Sequence, residues 1–159
     1  MPEAVLGLGS NIENRELHLA EAISLIEQME GTEIRKLSNI YETKPFDVQS
    51  EQQDYLNCCV LIHTTLSPQR LLEASQKIER KLLRVRTEYH GPRTIDVDIL
   101  LYEGFTSETK ELTVPHPGIR QRAFVLVPLS DIFHAYAGLG FHFKEAYDQV
   151  GKSEVFLYK

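Results

Sequence analysis

The order of hydrophobic patterns along this chain predicts an α+β protein. Apolar runs of strand length alternate with two amphipathic stretches of helical spacing in the order strand, helix, strand, strand, helix, strand. That order is the split βαβ of a ferredoxin-like βαββαβ sandwich, with both helices on one face of an antiparallel sheet and the other face open to carry a site. The chain has 159 residues and shows neither a repeat nor a linker, so residues 1–159 read as a single domain whose last strand is followed by a C-terminal extension.

The elements follow in order. Residues 4–8 read as a strand stopped by Gly9-Ser10-Asn11. Leu19, Ile23 and Ile26 recur at helical spacing within 14–29, and Gly31 ends that helix. Residues 34–41 continue as a strand, and the polar, proline-containing stretch 44–54 is a long loop. Residues 55–65, rich in Val, Ile and Thr, form the next strand. Ser67-Pro68 supplies a cap and a first-turn proline for the second helix. Leu71, Ser75, Ile78 and Leu82 mark its buried side, leaving Gln76 and Glu79 on the other. A second loop, 84–92, leads into the strand with Asp96 and Asp98. Beyond Tyr102, Leu112-Thr113-Val114-Pro115-His116-Pro117 is rich in turn residues and Gly138-Leu139-Gly140 is a turn. Residues 130–159 carry no pattern to which a function can be assigned.

Composition narrows the function. Net charge is −6, which argues against nonspecific binding to nucleic acid or to an anionic membrane. No apolar run reaches the length of a membrane span, and Met1-Pro2-Glu3-Ala4 lacks the basic start of a signal peptide. Cys58 and Cys59 are adjacent on a strand and point to opposite faces, so they neither bridge each other nor form a metal-binding CxxC. A cytoplasmic protein is the expectation.

The chemistry gathers around Asp96 and Asp98. Strand alternation sends both to one face and Ile95, Val97 and Ile99 to the other. Carboxylates on such a strand need a partner, because burying an unpaired charge costs several kcal/mol. Their spacing, with Arg93 upstream, suits Mg²⁺ and the phosphates it holds; the alternative is a solvated face paired with arginines. Five of the nine arginines are Arg84, Arg86, Arg93, Arg120 and Arg122, an inversion of local charge in an acidic chain. Guanidinium forks bind phosphate oxygens, so the set is a kit for phosphoryl transfer, or else a group of solvated arginines. His116, held between two prolines, can hydrogen-bond a phosphate. Tyr55 and Asn57 share a strand face, and with Phe124 they can stack on and hydrogen-bond a flat heterocycle; each aromatic can equally be core. No Walker A pattern occurs. Gly7-Leu8-Gly9 lacks the third glycine of a dinucleotide fingerprint, Ile12 standing there, so these glycines serve close packing or close approach of a ligand.

These segments, taken in order, resemble one family. Leu8-Gly9-Ser10-Asn11, Tyr41-Glu42-Thr43-Lys44-Pro45, Asp54-Tyr55-Leu56-Asn57, Arg84-Val85-Arg86, Gly91-Pro92-Arg93-Thr94-Ile95-Asp96-Val97-Asp98-Ile99-Leu100, the Leu112–Pro117 run and Arg122-Ala123-Phe124 are similar to 6-hydroxymethyl-7,8-dihydropterin pyrophosphokinases of the folate pathway. The resemblance implies transfer of the β,γ-pyrophosphoryl group of ATP to the hydroxymethyl group of the reduced pterin, releasing AMP. It implies two Mg²⁺ ions on Asp96 and Asp98, with Arg84 and Arg93 tied to the chemical step. Gly9, Thr43, Pro45, Tyr55, Asn57 and Phe124 would meet the pterin, the two aromatics sandwiching it. Gln76, Glu79, Arg86, Arg93, Ile99, His116 and Arg122 would meet ATP. Loops 44–54 and 84–91 correspond to parts that close over the substrates and exclude water. Asp47, Thr87 and Tyr89-His90 depart from the pattern common in the family.

Two other readings remain at this point: an Mg-dependent nucleotidyl or phosphoryl transferase on another heterocycle, and a ferredoxin-like ligand-binding module. Small-molecule substrates are expected as partners, without nucleic acid or membrane, in a monomer or weak homodimer.

Overall fold

The computed structural model describes residues 1–12, 14–44, 54–83 and 95–159. β1 (Glu3–Ser10), α1 (Arg15–Glu27), β2 (Thr32–Leu37), β3 (Tyr41–Thr43), β4 (Tyr55–Thr64), α2 (Pro68–Leu83) and β5 (Asp96–Tyr102) come first in the chain. They are followed by β6 (Ser107–Glu108), β7 (Thr113–Val114), a 3-10 turn (Ile119–Gln121) and α3 (Ala123–Ile132). A hairpin of β8 (Ala137–Gly138) and β9 (Phe141–His142), then α4 (Lys144–Gln149) and β10 (Val155–Leu157), complete the molecule.

The main sheet is antiparallel in every pairing, with the order β10-β3-β4-β1-β5 and β2 also on β4. The result is a mixed fold of one main antiparallel sheet and four α-helices among the described residues. β1 is central, paired along both edges. Its even positions Ala4, Leu6 and Leu8 enter a core with Leu19, Ala22 and Ile26 of α1 and Leu71, Ile78 and Leu82 of α2. Leu6 and Ile62 are fully buried, and truncating either to alanine costs about 2–5 kcal/mol. The Ser67 hydroxyl accepts a hydrogen bond from the Arg70 amide at 3.3 Å, so Ser67-Pro68 caps α2 as its residue types require.

The second sheet face is not wholly open. Val5, Cys59, Leu100 and Leu101 present apolar surface there, and α3 with the β8–β9 hairpin covers it through Leu126, Leu129, Ile132, Phe141 and Phe143. Residues 130–159 therefore build much of a second layer. β5 serves both layers because a register shift opposite Val5 and Leu6 sets Leu100 outside the regular pairing. Ile95, Val97 and Ile99 stay in the first core while Leu100 and Leu101 both enter the second. Toward the other end of that face β1 carries Gly7 and Gly9 in place of side chains.

Residues 34–41 do not make one strand. The Ser38 hydroxyl takes the hydrogen bond of the Cys59 amide at 2.8 Å, and the Asn39 amide turns to Asp131. The Ser38 amide still donates to the Cys59 carbonyl, but Ile40 bonds the backbone of Tyr158 and Lys159 instead of β4, so the run splits into β2 and β3.

Candidate active site

Asp96 and Asp98 lie across β1 from Gly9 and Gly7 respectively. At these two positions opposite the carboxylates β1 carries no side chain, and Asn57 packs against Gly9 and Leu100 against Gly7. Asp96 is half-buried and Asp98 exposed, whereas Val97 and Ile99 between and beside them are buried on the helix side. Among the described residues β5 is an edge strand of the sheet. Its outer edge meets α2, where Glu79 Oε2 accepts the Val97 amide at 2.8 Å. Glu79 thus braces the backbone between the two aspartates. Because Val97 aims its amide outward, strand alternation turns the Ile99 amide and carbonyl to that same edge, although the Ile99 side chain is core.

Four of the six residues expected from the resemblance to meet the pterin, Gly9, Thr43, Tyr55 and Asn57, lie side by side on the sheet. Register places Tyr41 beside Asn57, Asn57 beside Gly9 and Gly9 beside Asp96, a row across four strands. Thr43 pairs with Tyr55 one step further along. Asn57 Nδ2 donates to Thr43 Oγ1 at 2.9 Å, and both side chains are buried. A Cβ at Gly9 would come within 2.9 Å of Asn57 Oδ1 and 3.7 Å of the Tyr55 ring, so only glycine leaves this wall undisturbed. At both glycines the absent side chain serves close packing, against Asn57 and Tyr55 at Gly9 and against Leu100 at Gly7.

Phe124 is half-buried in the first turn of α3. That turn lies over β4, with the Cys59 thiol 3.9 Å from the Val125 carbonyl. Asp131, at the other end of α3, accepts from the Tyr41 hydroxyl at 2.8 Å and the Asn39 amide at 3.1 Å, tying the helix to β3. Burial first, then this bond to Asp131, pushes the Tyr41 phenol up to about 12. Pro128 removes the donor that would meet the Phe124 carbonyl within the helix.

The basic residues divide. The Arg122 guanidinium carbon is 5.8 Å from the Phe124 ring centre, at the start of α3. His116 is docked on β5 by its amide, which donates to the Leu100 carbonyl at 3.1 Å. Arg120 turns elsewhere: it donates to the His142 carbonyl at 2.9 Å and lies 4.4 Å above the Phe141 ring centre, serving the second layer. Gln76 is exposed on α2, one turn before Glu79. Pro45, Arg84, Arg86 and Arg93 lie outside the described residues, as do Asp47, Thr87, Tyr89 and His90 and most of both expected loops. Glu42, Arg15 and Asp131 escaped the sequence reading. Each acts on a partner far along the chain, so no local spacing marks it.

The donor set fits a magnesium–phosphate site of limited protein contribution. Among the described residues no group of three or more His, Cys, Asp or Glu could enclose a metal. Two carboxylates on one strand face, Asp96 half-buried and Asp98 exposed, would leave the remaining coordination positions of a bound Mg²⁺ to water and phosphate oxygens. Both cysteines are free and buried, and burial pushes the Cys58 thiol up to about 12 and Cys59 higher than its ordinary value, so neither is a thiolate ligand or nucleophile at neutral pH. No described helix is long and apolar enough to cross a membrane.

Comparison with known proteins agrees with this geometry. A family model described as 7,8-dihydro-6-hydroxymethylpterin-pyrophosphokinase (HPPK) matches residues 5–134. The 2-amino-4-hydroxy-6-hydroxymethyldihydropteridine pyrophosphokinase of Bacillus subtilis is 46% identical over 129 residues, covering 81% of this chain and 77% of that protein. The folic acid synthesis protein fol1 of Schizosaccharomyces pombe is 38% identical over 159 residues, covering 98% of this chain, which spans only 21% of that longer protein. The fold matches the crystal structure of Plasmodium falciparum HPPK-DHPS with a TM-score of 0.69 at 18% identity, over 93% of this chain and 41% of the other. On the extent of the family match and the identity to the bacterial enzyme, the chain belongs to the 7,8-dihydro-6-hydroxymethylpterin-pyrophosphokinase family.

Proposed function

We infer that this chain, a pyrophosphokinase of folate synthesis by its family, works at the Gly9 end of its sheet. It transfers the pyrophosphoryl group of ATP to the hydroxymethyl group of 6-hydroxymethyl-7,8-dihydropterin. The observation that carries the assignment of the site is the row Asn57, Gly9 and Asp96, with Thr43 and Tyr55 beside it. In this reading Thr43 and Asn57 hydrogen-bond the pterin edge, Gly9 lets the ring approach the sheet, and Tyr55 and Phe124 stack on its faces. Pro45 adds a contact from the following loop. The pterin's hydroxymethyl group then points along the row toward Asp96.

Chemically, the hydroxymethyl oxygen forms a bond to the β-phosphorus as the bond from that phosphorus to the α,β-bridging oxygen breaks, and AMP leaves with that oxygen. The hydroxyl proton is lost to solvent. Asp96 and Asp98 would hold two Mg²⁺ ions, which when bound would supply charge neutralisation on the triphosphate and lower the pKa of the hydroxyl. Arg84 and Arg93 stabilise the transferring group, and Arg86, Arg122 and His116 hold phosphate oxygens. The outward backbone of Ile99, with Gln76 and Glu79, faces the nucleotide. The strand order β5-β1-β4-β2, with helices crossing from β1 to β2 and from β4 to β5, supports reading the core as ferredoxin-like and residues 1–159 as one domain. Cytoplasmic operation fits soluble substrates and two free thiols.

The test is ³¹P NMR of the protein with ATP, Mg²⁺ and 6-hydroxymethyl-7,8-dihydropterin. AMP and a pterin diphosphate, both abolished by EDTA, are expected. ADP as product, or ATP left intact, would refute the reaction.

A further inference from the structure

Arg15 opens α1, and its side chain is only 19% exposed. Its Nη1 donates to Glu42 Oε2 at 2.6 Å and to the Asp54 carbonyl at 2.7 Å. Its guanidinium carbon lies 5.8 Å from the Tyr158 ring centre, where the residues after β10 return to the sheet. Glu42 immediately precedes Thr43, and Asp54 immediately precedes Tyr55. Thr43 and Tyr55 are partners in register and form the last pair of the short β3–β4 ladder. Terminal pairs of a ladder fray, because only one side of the pair is supported by further hydrogen bonds. Arg15 bridges the two strands at that end, with one bond inside the ladder and one just outside it. By alternation Glu42 is on the face opposite Thr43, so the clamp grips the sheet from behind the site and touches no substrate.

We propose that Arg15 is a positioning residue for pterin recognition, fixing the spacing of Thr43 and Tyr55 by clamping β3 to β4 from the rear of the sheet. The proposal rests on the pterin reading of this row. The bond from Asn57 to Thr43 depends on that spacing, so loosening the clamp misplaces two polar groups and one ring at once. Asp96 and Asp98 stand on β5, two strands away across β1, and are held there by β1 and Glu79. The clamp therefore acts on the acceptor substrate and not on ATP.

The experiment measures KM for pterin, KM for ATP and kcat in wild type, Arg15→Met, Arg15→Lys and Glu42→Gln, with thermal melting of each. Arg15→Met is expected to raise the pterin KM about tenfold, the effect of one lost charge-assisted hydrogen bond, with ATP KM and kcat within about twofold. Arg15→Lys, which retains the charge, recovers most of the loss. Should Arg15→Met fail to fold, Glu42→Gln gives the same readout in milder form. Equal changes in both KM values, or an unchanged pterin KM in folded Arg15→Met, would overturn the proposal. Wild type that turns over ATP on another acceptor but not on the pterin would overturn the pterin reading, and this proposal with it.

Discussion

Gly9→Ala tests the pterin wall at its tightest point. The added methyl would sit 2.9 Å from Asn57 Oδ1, closer than such contacts are found in proteins, so one of the two must move. β1 cannot yield easily, since β4 and β5 pair with it on both sides. Asn57 is buried and tethered to Thr43 by its own amide, so displacing it breaks that bond. A broken bond of this kind costs about 1–3 kcal/mol, and overpacking by one methyl adds a similar amount. The sum, about 2–6 kcal/mol against a total stability of order 5–15, lowers the melting temperature by about 4–24 °C at about 2–4 °C per kcal/mol for a chain of this length. The pterin loses a correctly placed amide, and its KM should rise about 10- to 100-fold while the ATP KM stays near wild type. Steady-state kinetics at saturating co-substrate and a thermal melt measure both effects. Gly7→Ala is the companion: its methyl meets the Leu100 side chain at 3.0 Å, away from Asn57, and should lower stability without the rise in pterin KM. A Gly9→Ala enzyme with unchanged pterin KM would refute the placement of the pterin against Asn57.

Other outcomes follow from neighbouring features. Asp98→Ala should cut turnover by orders of magnitude with an unchanged circular dichroism spectrum, since the exposed carboxylate contributes little to packing; near-normal turnover would remove it from the metal site. Glu79→Ala leaves the Val97 amide without its carboxylate, costing about 1–2 kcal/mol in a melt and raising the Mg²⁺ concentration for half-maximal turnover, whereas Glu79→Gln keeps an acceptor and most of the stability. Tyr41→Phe loses the bond to Asp131, worth about 1 kcal/mol at neutral pH. Because the folded pKa of Tyr41, about 12, lies above the unfolded value of 10.0, its contribution is complete below the unfolded value and is lost as pH rises through the folded one. Denaturant titrations of wild type and Tyr41→Phe should thus differ by a constant amount up to pH 10 and converge toward 12; a gap that widens there would contradict the assigned bond.

Much of the first layer was legible because its elements obey a simple period. β1, β4 and β5 alternate or run apolar, and α2 announces its start with Ser67-Pro68 and its inner face with Leu71, Ile78 and Leu82. The second layer was not legible, for a physical reason. α3 reads Ala-Phe-Val-Leu-Val-Pro-Leu-Ser-Asp-Ile, apolar on nearly every side because it is packed between β4 and the C-terminal segments, so helical periodicity vanishes. The break at residues 38–40 was equally hidden, since it depends on Cys59, Asp131 and the C-terminal residues rather than on any local breaker. In the site, the i, i+2 aspartates and the aromatic and amide residues of β4 show in sequence because strand geometry alone sets their facing. The supports do not: Glu79 to Val97, Asp131 to Tyr41 and Arg15 to Asp54 are contacts only the folded chain makes.

β3, which carries Thr43, takes its outer neighbour from β10, made of residues 155–157. During synthesis β3 emerges early and β4 soon after, but β10 leaves the ribosome only when nearly all of this sequence has been made. Until then the strand bearing Thr43 is an exposed edge, open to pairing with another chain, and is held by three register pairs with β4 alone. The other side of the sheet, where β5 pairs with β1, does not wait for β10. A nascent chain would therefore complete the β1–β5 pairing before β3 is sealed, and crowding of unfinished chains would do most harm at β3.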